Sequence, residues 1–101
     1  MPTKTVNGIT VTFRGELRMP QSTIEMEFKN AQGQLVDVGK VKLTLDMNMP
    51  GMVMHDVANV SGSAGNYSAK IKPKMVGDWN AKLTFNSPQG PAETQFRVAI
   101  R

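Results

Sequence analysis

The stretch "WNAKLTF" (79–85) alternates strictly between apolar and polar residues. An alternation of period two places successive side chains on opposite faces of a β-strand. This stretch therefore predicts a strand with one buried face and one solvated face. Its apolar residues are Trp79, Ala81, Leu83 and Phe85, and its polar residues are Asn80, Lys82 and Thr84.

The same alternation recurs along the chain, and no stretch has a convincing helical period. Turn-forming segments rich in Gly, Asn, Ser and Pro, such as "NAQG", "SGSAGN" and "NSPQGP", separate the alternating runs. Gly39 falls inside the longest run and predicts a bulge or a change of partner there. The predicted strands cover about residues 9–14, 22–29, 34–48, 55–60, 66–72, 78–86 and 93–100.

Seven short strands in 101 residues predict an all-β fold, a seven-stranded antiparallel immunoglobulin-like β-sandwich. We expect residues 1–101 to form one domain, because the length suits a single modest core and no linker or repeat is apparent. The apolar runs are too short to cross a membrane, so no membrane span is expected in this chain.

Composition excludes several classes of chemistry. The chain has no cysteine and one histidine, His55. Thiol catalysis, disulfides, cysteine zinc sites and most sites that need several imidazoles are therefore excluded. Asp56 adjoins His55, but neighbours on a strand point to opposite faces, so no catalytic pair is predicted and the protein is not expected to be an enzyme.

The net charge of +4 could attract nucleic acid. The lysines, however, fit solvated strand faces, and the few aromatic residues that could stack on bases fall at positions that look buried. We therefore expect no nucleic-acid partner.

Methionine is concentrated in loops. If consecutive strands run antiparallel, the loops 15–21, 49–54 and 72–77 share one end of the sandwich. These loops hold five of the eight methionines, whereas the loops predicted at the other end hold none. The five are Met19, Met49, Met52, Met54 and Met75.

Thioethers are soft and neutral, and they coordinate Cu(I) or Ag(I) better than zinc, magnesium or calcium ions. Pro50 and Gly51 would let the chain fold back so that the sulfurs converge. Alternation places His55 on the opposite side from Met52 and Met54, so these three can meet only if the loop departs from extended geometry. The predicted ligand pool is Met49, Met52, Met54, His55 and Met75.

Other interpretations of the methionines stay open. Met26 and Met47 continue apolar strand faces and are expected in the core. Met75 could pack on Trp79, because sulfur–aromatic contacts are favourable. A Met-lined end could also grip a protein partner without any metal.

Two motifs carry a resemblance to a known family. "MPGMVMH" (49–55) and "GNYSAKIKPKMVGDWNAKLTF" (65–85) resemble the YtkA-like and FixH-like family of small extracytoplasmic domains. The resemblance covers about residues 5–100. The family often has Gly and His after the second Met of its Met-Pro-x-Met motif, where this chain has Val53 and Met54. The matching positions are Met49, Pro50, Met52 and His55, then Gly65 and Tyr67, then Met75, Gly77 and Trp79.

The resemblance implies an immunoglobulin-like sandwich in a periplasmic or extracellular setting, membrane-anchored in the full-length protein. It also implies copper handling, with an efflux adaptor, a copper chaperone or a haem-copper oxidase as protein partner. We therefore predict a Cu(I)-binding domain for copper delivery or resistance. The alternative is a metal-independent immunoglobulin-like interaction module that docks on a membrane transporter or oxidase.

Overall fold

The computed structural model describes residues 3–15, 17–49, 52–73 and 75–101, and the side chains of residues 48–49 and 52–54 are outside the description. The described residues form nine β-strands and no α-helix. The strands are β1 (Thr3–Val6), β2 (Ile9–Arg14), β3 (Ser22–Lys29), β4 (Lys42–Met49), β5 (Met52–Val57), β6 (Asn59–Ser63), β7 (Asn66–Ile71), β8 (Gly77–Ser87) and β9 (Gly90–Ile100).

The strands form two antiparallel sheets that pack face to face. One sheet has the order β1-β2-β3-β7-β6, and the other has the order β5-β4-β8-β9. The inward residues of both sheets form one apolar cluster. Trp79, Ala81, Leu83 and Phe85 are buried there, as their alternation predicts. The predicted antiparallel β-sandwich is thus confirmed, and the described part of the chain holds no helix long and apolar enough to cross a membrane.

The predicted count of seven strands was too low, partly because β1 was not predicted. This strand pairs with β2 across a two-residue turn at Asn7 and Gly8. Both turn residues have positive φ angles, 52° and 78°. Asn-Gly is the residue pair that favours such a turn, because both residues tolerate left-handed backbone geometry.

The strand predicted over residues 34–48 begins only at Lys42. Residues 30–41 form a loop that links the two sheets. The Val36 amide donates to the Phe28 carbonyl in the first sheet, and the Asn86 amide in the second sheet donates to the Val38 carbonyl. Apolar residues of this loop anchor it between the sheets, and their spacing in the sequence resembles that of a strand. Gly39, with φ of 66°, lies in this loop rather than in a strand.

The strand predicted over residues 55–60 is two strands in different sheets. β5 ends at Val57, and β6 begins at Asn59. Ala58 is buried between them, and its amide donates to the Leu43 carbonyl at 3.0 Å. A change of sheet over one residue leaves the apolar–polar alternation almost unbroken, so the alternation does not reveal it.

The strand register decides which loops lie together. Arg14 pairs with Glu25, and Ser22 pairs with Ile71, so β2 ends, β3 begins and β7 ends on one side of the sandwich. β8 leaves that side antiparallel to β4. β2, β4 and β7 therefore end, and β3, β5 and β8 begin, on this side, called here the methionine end, as the loop grouping predicts. The turns at 7–8, 64–65 and 88–89 lie at the opposite side, called here the turn end.

Candidate functional site

β4 ends at Met49 and β5 begins at Met52, both at the methionine end, and the two strands form a hairpin. Its register pairs Met49 with Met52 and Met47 with Met54. Directly opposite positions of an antiparallel pair share a face, as do positions two apart on one strand. Positions 47, 49, 52 and 54 therefore fall on one face of the hairpin. Met47 is only 6% exposed, which identifies this face as the one toward the core.

Of these four side chains, only that of Met47 belongs to the described part of the structure. Its burial confirms the predicted core role, and so does that of Met26, which is 1% exposed. The side chains of the predicted ligands Met49, Met52 and Met54, and the turn residues Pro50 and Gly51, lie outside the described residues.

His55 occupies the other face of the hairpin. It pairs in register with Asp46, and its Nδ1 forms a hydrogen bond with the Asp46 carboxylate. Both side chains are solvent-accessible. A carboxylate on one ring nitrogen orients the imidazole and fixes its tautomer. Strand β5 is regular through Met52–Val57. The departure from extended geometry that would let His55 meet Met52 and Met54 is therefore not seen.

Asp46 was not predicted as the partner of His55. The sequence pointed only to the adjacent Asp56, which lies on the opposite face, with one oxygen buried and without a hydrogen-bond partner among the described residues. The signal was available in the sequence, because a two-residue Pro-Gly loop between Met49 and Met52 fixes every cross-strand pair of the hairpin.

The surroundings of His55 disfavour a cation at this outer face. A shallow cavity of about 300 Å³ lies beside the ring, and Lys42 and Lys82 are among the residues that line it. Nearby positive charges oppose the binding of a further cation. Among the described residues, moreover, no group of three or more His, Cys, Asp or Glu side chains could hold a metal ion.

Met75 lies in the loop between β7 and β8, at the methionine end. Its side chain is half-buried and packs against the core, and its carbonyl accepts a hydrogen bond of 3.1 Å from the Trp79 indole nitrogen. Trp79 is 1% exposed, so this hydrogen bond anchors the loop to the core.

The Met75 loop lies against the methionine face of the hairpin. A Cβ atom added at Gly77 would stand 2.8 Å from the terminal methyl carbon of Met47, which shows how closely the two segments approach. Gly77 has a φ of 137°, a conformation that favours glycine. The fold therefore brings the segment of Met75 to the face that carries positions 47, 49, 52 and 54.

Met19 shares this end but lies beside the C-terminus of β9. Its amide donates to the carbonyl of Arg101 at 2.9 Å, and its side chain is 38% exposed. The loop grouping predicted from the sequence thus holds for Met19, although it is not part of the predicted ligand pool.

These features define a class of protein: a small antiparallel β-sandwich with a methionine-bearing hairpin at one end. The model of the YtkA-like family matches residues 3–84, and the chain belongs to this family. The match includes the whole β4–β5 hairpin, Met75 and Trp79, and it ends within β8. No curated protein matches the chain.

Proposed function

We propose that this domain binds Cu(I), or the similar ion Ag(I), at the methionine end and serves copper delivery or resistance outside the cytoplasm. The observation that carries the proposal is the hairpin register, which puts positions 47, 49, 52 and 54 on one face. The packing of Met47 against Gly77 brings the Met75 segment to the same face.

The chemistry of thioethers selects the ion. A thioether carries no charge and no proton, so it offers little to hard, strongly hydrated cations such as magnesium or calcium. A monovalent d¹⁰ ion accepts about three soft ligands at low coordination number. The proposed ligands are drawn from Met49, Met52, Met54 and Met75, with the ion as cargo. His55 is left outside the ligand set because Asp46 holds it on the opposite face, next to two lysines.

The first test removes sulfur while keeping apolar volume. The triple variant Met49→Leu, Met52→Leu, Met54→Leu should lose Cu(I) affinity by about 100-fold or more, because each leucine keeps the bulk but donates no lone pair. The affinity is measured by competition with a chromophoric Cu(I) chelator under reductant. The matched control is Met26→Leu, a core methionine that is 1% exposed. Equal affinity of the triple variant and the control would refute the proposal.

The second test separates thioether from imidazole ligation. A site made only of thioethers should hold Cu(I) equally well from about pH 7 to about pH 5, because none of its ligands binds a proton in that range. His55→Gln should then bind Cu(I) like the wild type. An affinity that falls between about pH 7 and about pH 5, and that loses this dependence in His55→Gln, would place the imidazole in the site instead.

A second function is supported by exposed apolar side chains at the same end. Val76 is 55% exposed and Met19 is 38% exposed. Such residues favour a docking surface for a membrane transporter, an efflux adaptor, a copper chaperone or an oxidase. If docking is independent of metal, a partner should be retained in the presence of a Cu(I) chelator and released by Val76→Asp. Retention that requires copper would favour the metal-binding function over this one.

A further inference from the structure

Strand β9 is the longest edge strand of the sandwich, with eleven residues against four in β1, six in β5 and five in β6. The direction of its backbone groups is fixed at its C-terminal end. The Arg101 amide donates to the Leu17 carbonyl at 3.1 Å, and the Arg101 carbonyl accepts from the Met19 amide at 2.9 Å. Residue 101 therefore turns its backbone groups away from β8.

Backbone groups along a strand alternate in direction with a period of two. The residues that share the parity of Arg101 thus present their N–H and C=O groups to the outer edge of β9. They are Pro91, which offers only its C=O, and Glu93, Gln95, Arg97 and Ala99; none of them has a backbone partner on that edge among the described residues. A long edge of unpaired donors and acceptors is a template for another strand.

The charges on this edge are self-complementary. If two copies of β9 pair antiparallel about a two-fold axis at Gln95, Glu93 of each copy lies opposite Arg97 of the other. Both residues turn their backbone groups outward, so this register forms backbone hydrogen bonds as well as two ion pairs. A register centred one residue to either side places Gln95 opposite a charged residue and leaves the charges unmatched.

We propose that this chain forms a homodimer through antiparallel pairing of its β9 edges, centred on Gln95, which joins the two four-stranded sheets into one sheet of eight strands. The occupant of the edge is a second copy because its charge pattern is complementary to itself. In this register Pro91 lies opposite Ala99 of the second copy and has no N–H to donate, so the ladder loses one hydrogen bond at each end, while the pairs formed by residues 93, 95 and 97 keep theirs.

Side chains on the outer face already form the ladder that the dimer would continue. Lys82 Nζ lies 3.6 Å from Glu93 Oε1, and Asn80 Nδ2 donates to Gln95 Oε1 at 3.3 Å. Glu93, Gln95 and Arg97 are exposed in the single chain. Across the two-fold axis, Arg97 of the second copy would extend the Lys82–Glu93 pair to a charge triad, and the two Gln95 amides would meet at the centre.

A cysteine placed on the axis tests the register. The chain has no cysteine, so a single introduced thiol reports on its own surroundings. In Gln95→Cys the two thiols face each other across a hydrogen-bonded pair with Cα atoms about 5.5 Å apart, which a disulfide can bridge. Mild oxidation should convert most of this variant to a disulfide-linked dimer. The control Gln89→Cys, in the β8–β9 turn, should stay monomeric under the same conditions.

Charge reversal tests the complementarity. Glu93→Arg places arginine opposite arginine, and Arg97→Glu places glutamate opposite glutamate, so each variant should associate about tenfold more weakly or worse. A mixture of the two variants should form heterodimers, because every cross-strand pair then has opposite charges. The variant that carries both reversals should regain self-association. Sedimentation equilibrium measures all four samples.

Three results would overturn the proposal. The first is a wild-type chain that stays monomeric at the highest soluble concentration, which would leave the edge to some other partner. The second is a dimer unaffected by either reversal, which would place the interface elsewhere. The third is equal oxidation of Gln95→Cys and Gln89→Cys. None of these measurements involves copper, so the dimer and the metal site are tested independently of each other.

Discussion

The two ends of the sandwich each contain a glycine with positive φ and a very close neighbour, and the neighbours differ in kind. At the turn end, a Cβ on Gly65 would stand 2.9 Å from the Val36 carbonyl oxygen and 3.1 Å from that of Phe28. At the methionine end, the atom nearest to a Cβ on Gly77 is the terminal methyl of Met47. Backbone atoms fix the first contact, whereas a flexible thioether forms the second.

The neighbours of Gly65 and Gly77 therefore differ in rigidity within one fold. At the turn end, Gly65 belongs to a rigid backbone network: the Phe28 amide donates to its carbonyl at 2.9 Å and extends the pairing of β3 with β7. At the methionine end, the Met47 side chain that meets Gly77 has several rotatable bonds and adapts its shape easily. A binding site that closes around an ion needs adaptable side chains, and it needs a rigid backbone that positions them.

Gly65→Ala should give the largest loss of stability, about 3 kcal/mol or more, because strain at φ of 92° adds to a clash with two fixed carbonyl groups. Urea unfolding measures the loss. Gly33→Ala is the matched control, since Gly33 has a φ of 79° but nothing within 4 Å of an added Cβ. Gly33→Ala should lower the free energy of unfolding by the backbone strain alone, about 1 kcal/mol. Equal losses in the two variants would show that the neighbours of Gly65 move aside at no measurable cost.

Trp79→Phe should cost about 2 kcal/mol at the methionine end, because it removes buried volume and the indole bond to the Met75 carbonyl. If this bond positions Met75, the variant should also bind Cu(I) more weakly, while Phe85→Leu, another core substitution in β8, should lower stability without weakening Cu(I) binding. Unchanged Cu(I) affinity in Trp79→Phe would show that the bond only supports the fold.

Tyr67→Phe should cost about 1 kcal/mol at neutral pH, because the phenol donates to the Gly39 carbonyl at 3.0 Å and thereby holds the loop 30–41. Burial, followed by the nearby Asp37 carboxylate, raises the pKa of Tyr67 above its ordinary value of 10.0. The unfolded chain therefore ionises first, and this contribution to stability is lost as the pH rises above about 10.

Unfolding of both proteins at several alkaline pH values tests this sign. The wild type should lose stability more steeply than Tyr67→Phe, since the lysines contribute equally to the two. Parallel curves would mean that Tyr67 titrates alike in both states.

Asp46→Asn should have the smallest effect, a loss of about 0.5 kcal/mol or less, because its pair with His55 is solvent-exposed. Cu(I) affinity should stay at the wild-type value if the ion lies on the opposite face of the hairpin. A clear loss of affinity would show that the oriented imidazole takes part in binding.

Alternation and turn chemistry predict most of the sandwich because burial of one strand face is a local property of the sequence. The same reasoning fails over residues 34–41, where Val38 is buried although the backbone crosses between sheets. It also fails at Ala58, where the chain changes sheet over one residue. Both errors concern which partner a segment bonds, and periodicity carries no information about partners.

For the candidate site, the sequence likewise predicted which residues share an end or a face, but it did not predict their partners. Loop parity correctly brought Met75 to the end that holds the β4–β5 hairpin, and alternation correctly separated His55 from positions 52 and 54. The Asp46 partner was not predicted, because cross-strand pairs follow from the register of the hairpin and not from alternation along one strand. The hydrogen bond from Trp79 to the Met75 carbonyl depends on the path of an irregular loop, and no sequence pattern specifies such a path.

The direction of β9 has a consequence for how two copies would work together. The strand runs from the turn end toward the methionine end, and an antiparallel pair about Gln95 reverses one copy relative to the other. The two β4–β5 hairpins would then point to opposite ends of the dimer. If each copy binds an ion at its methionine end, the two ions could not share ligands, and each end could meet a different acceptor.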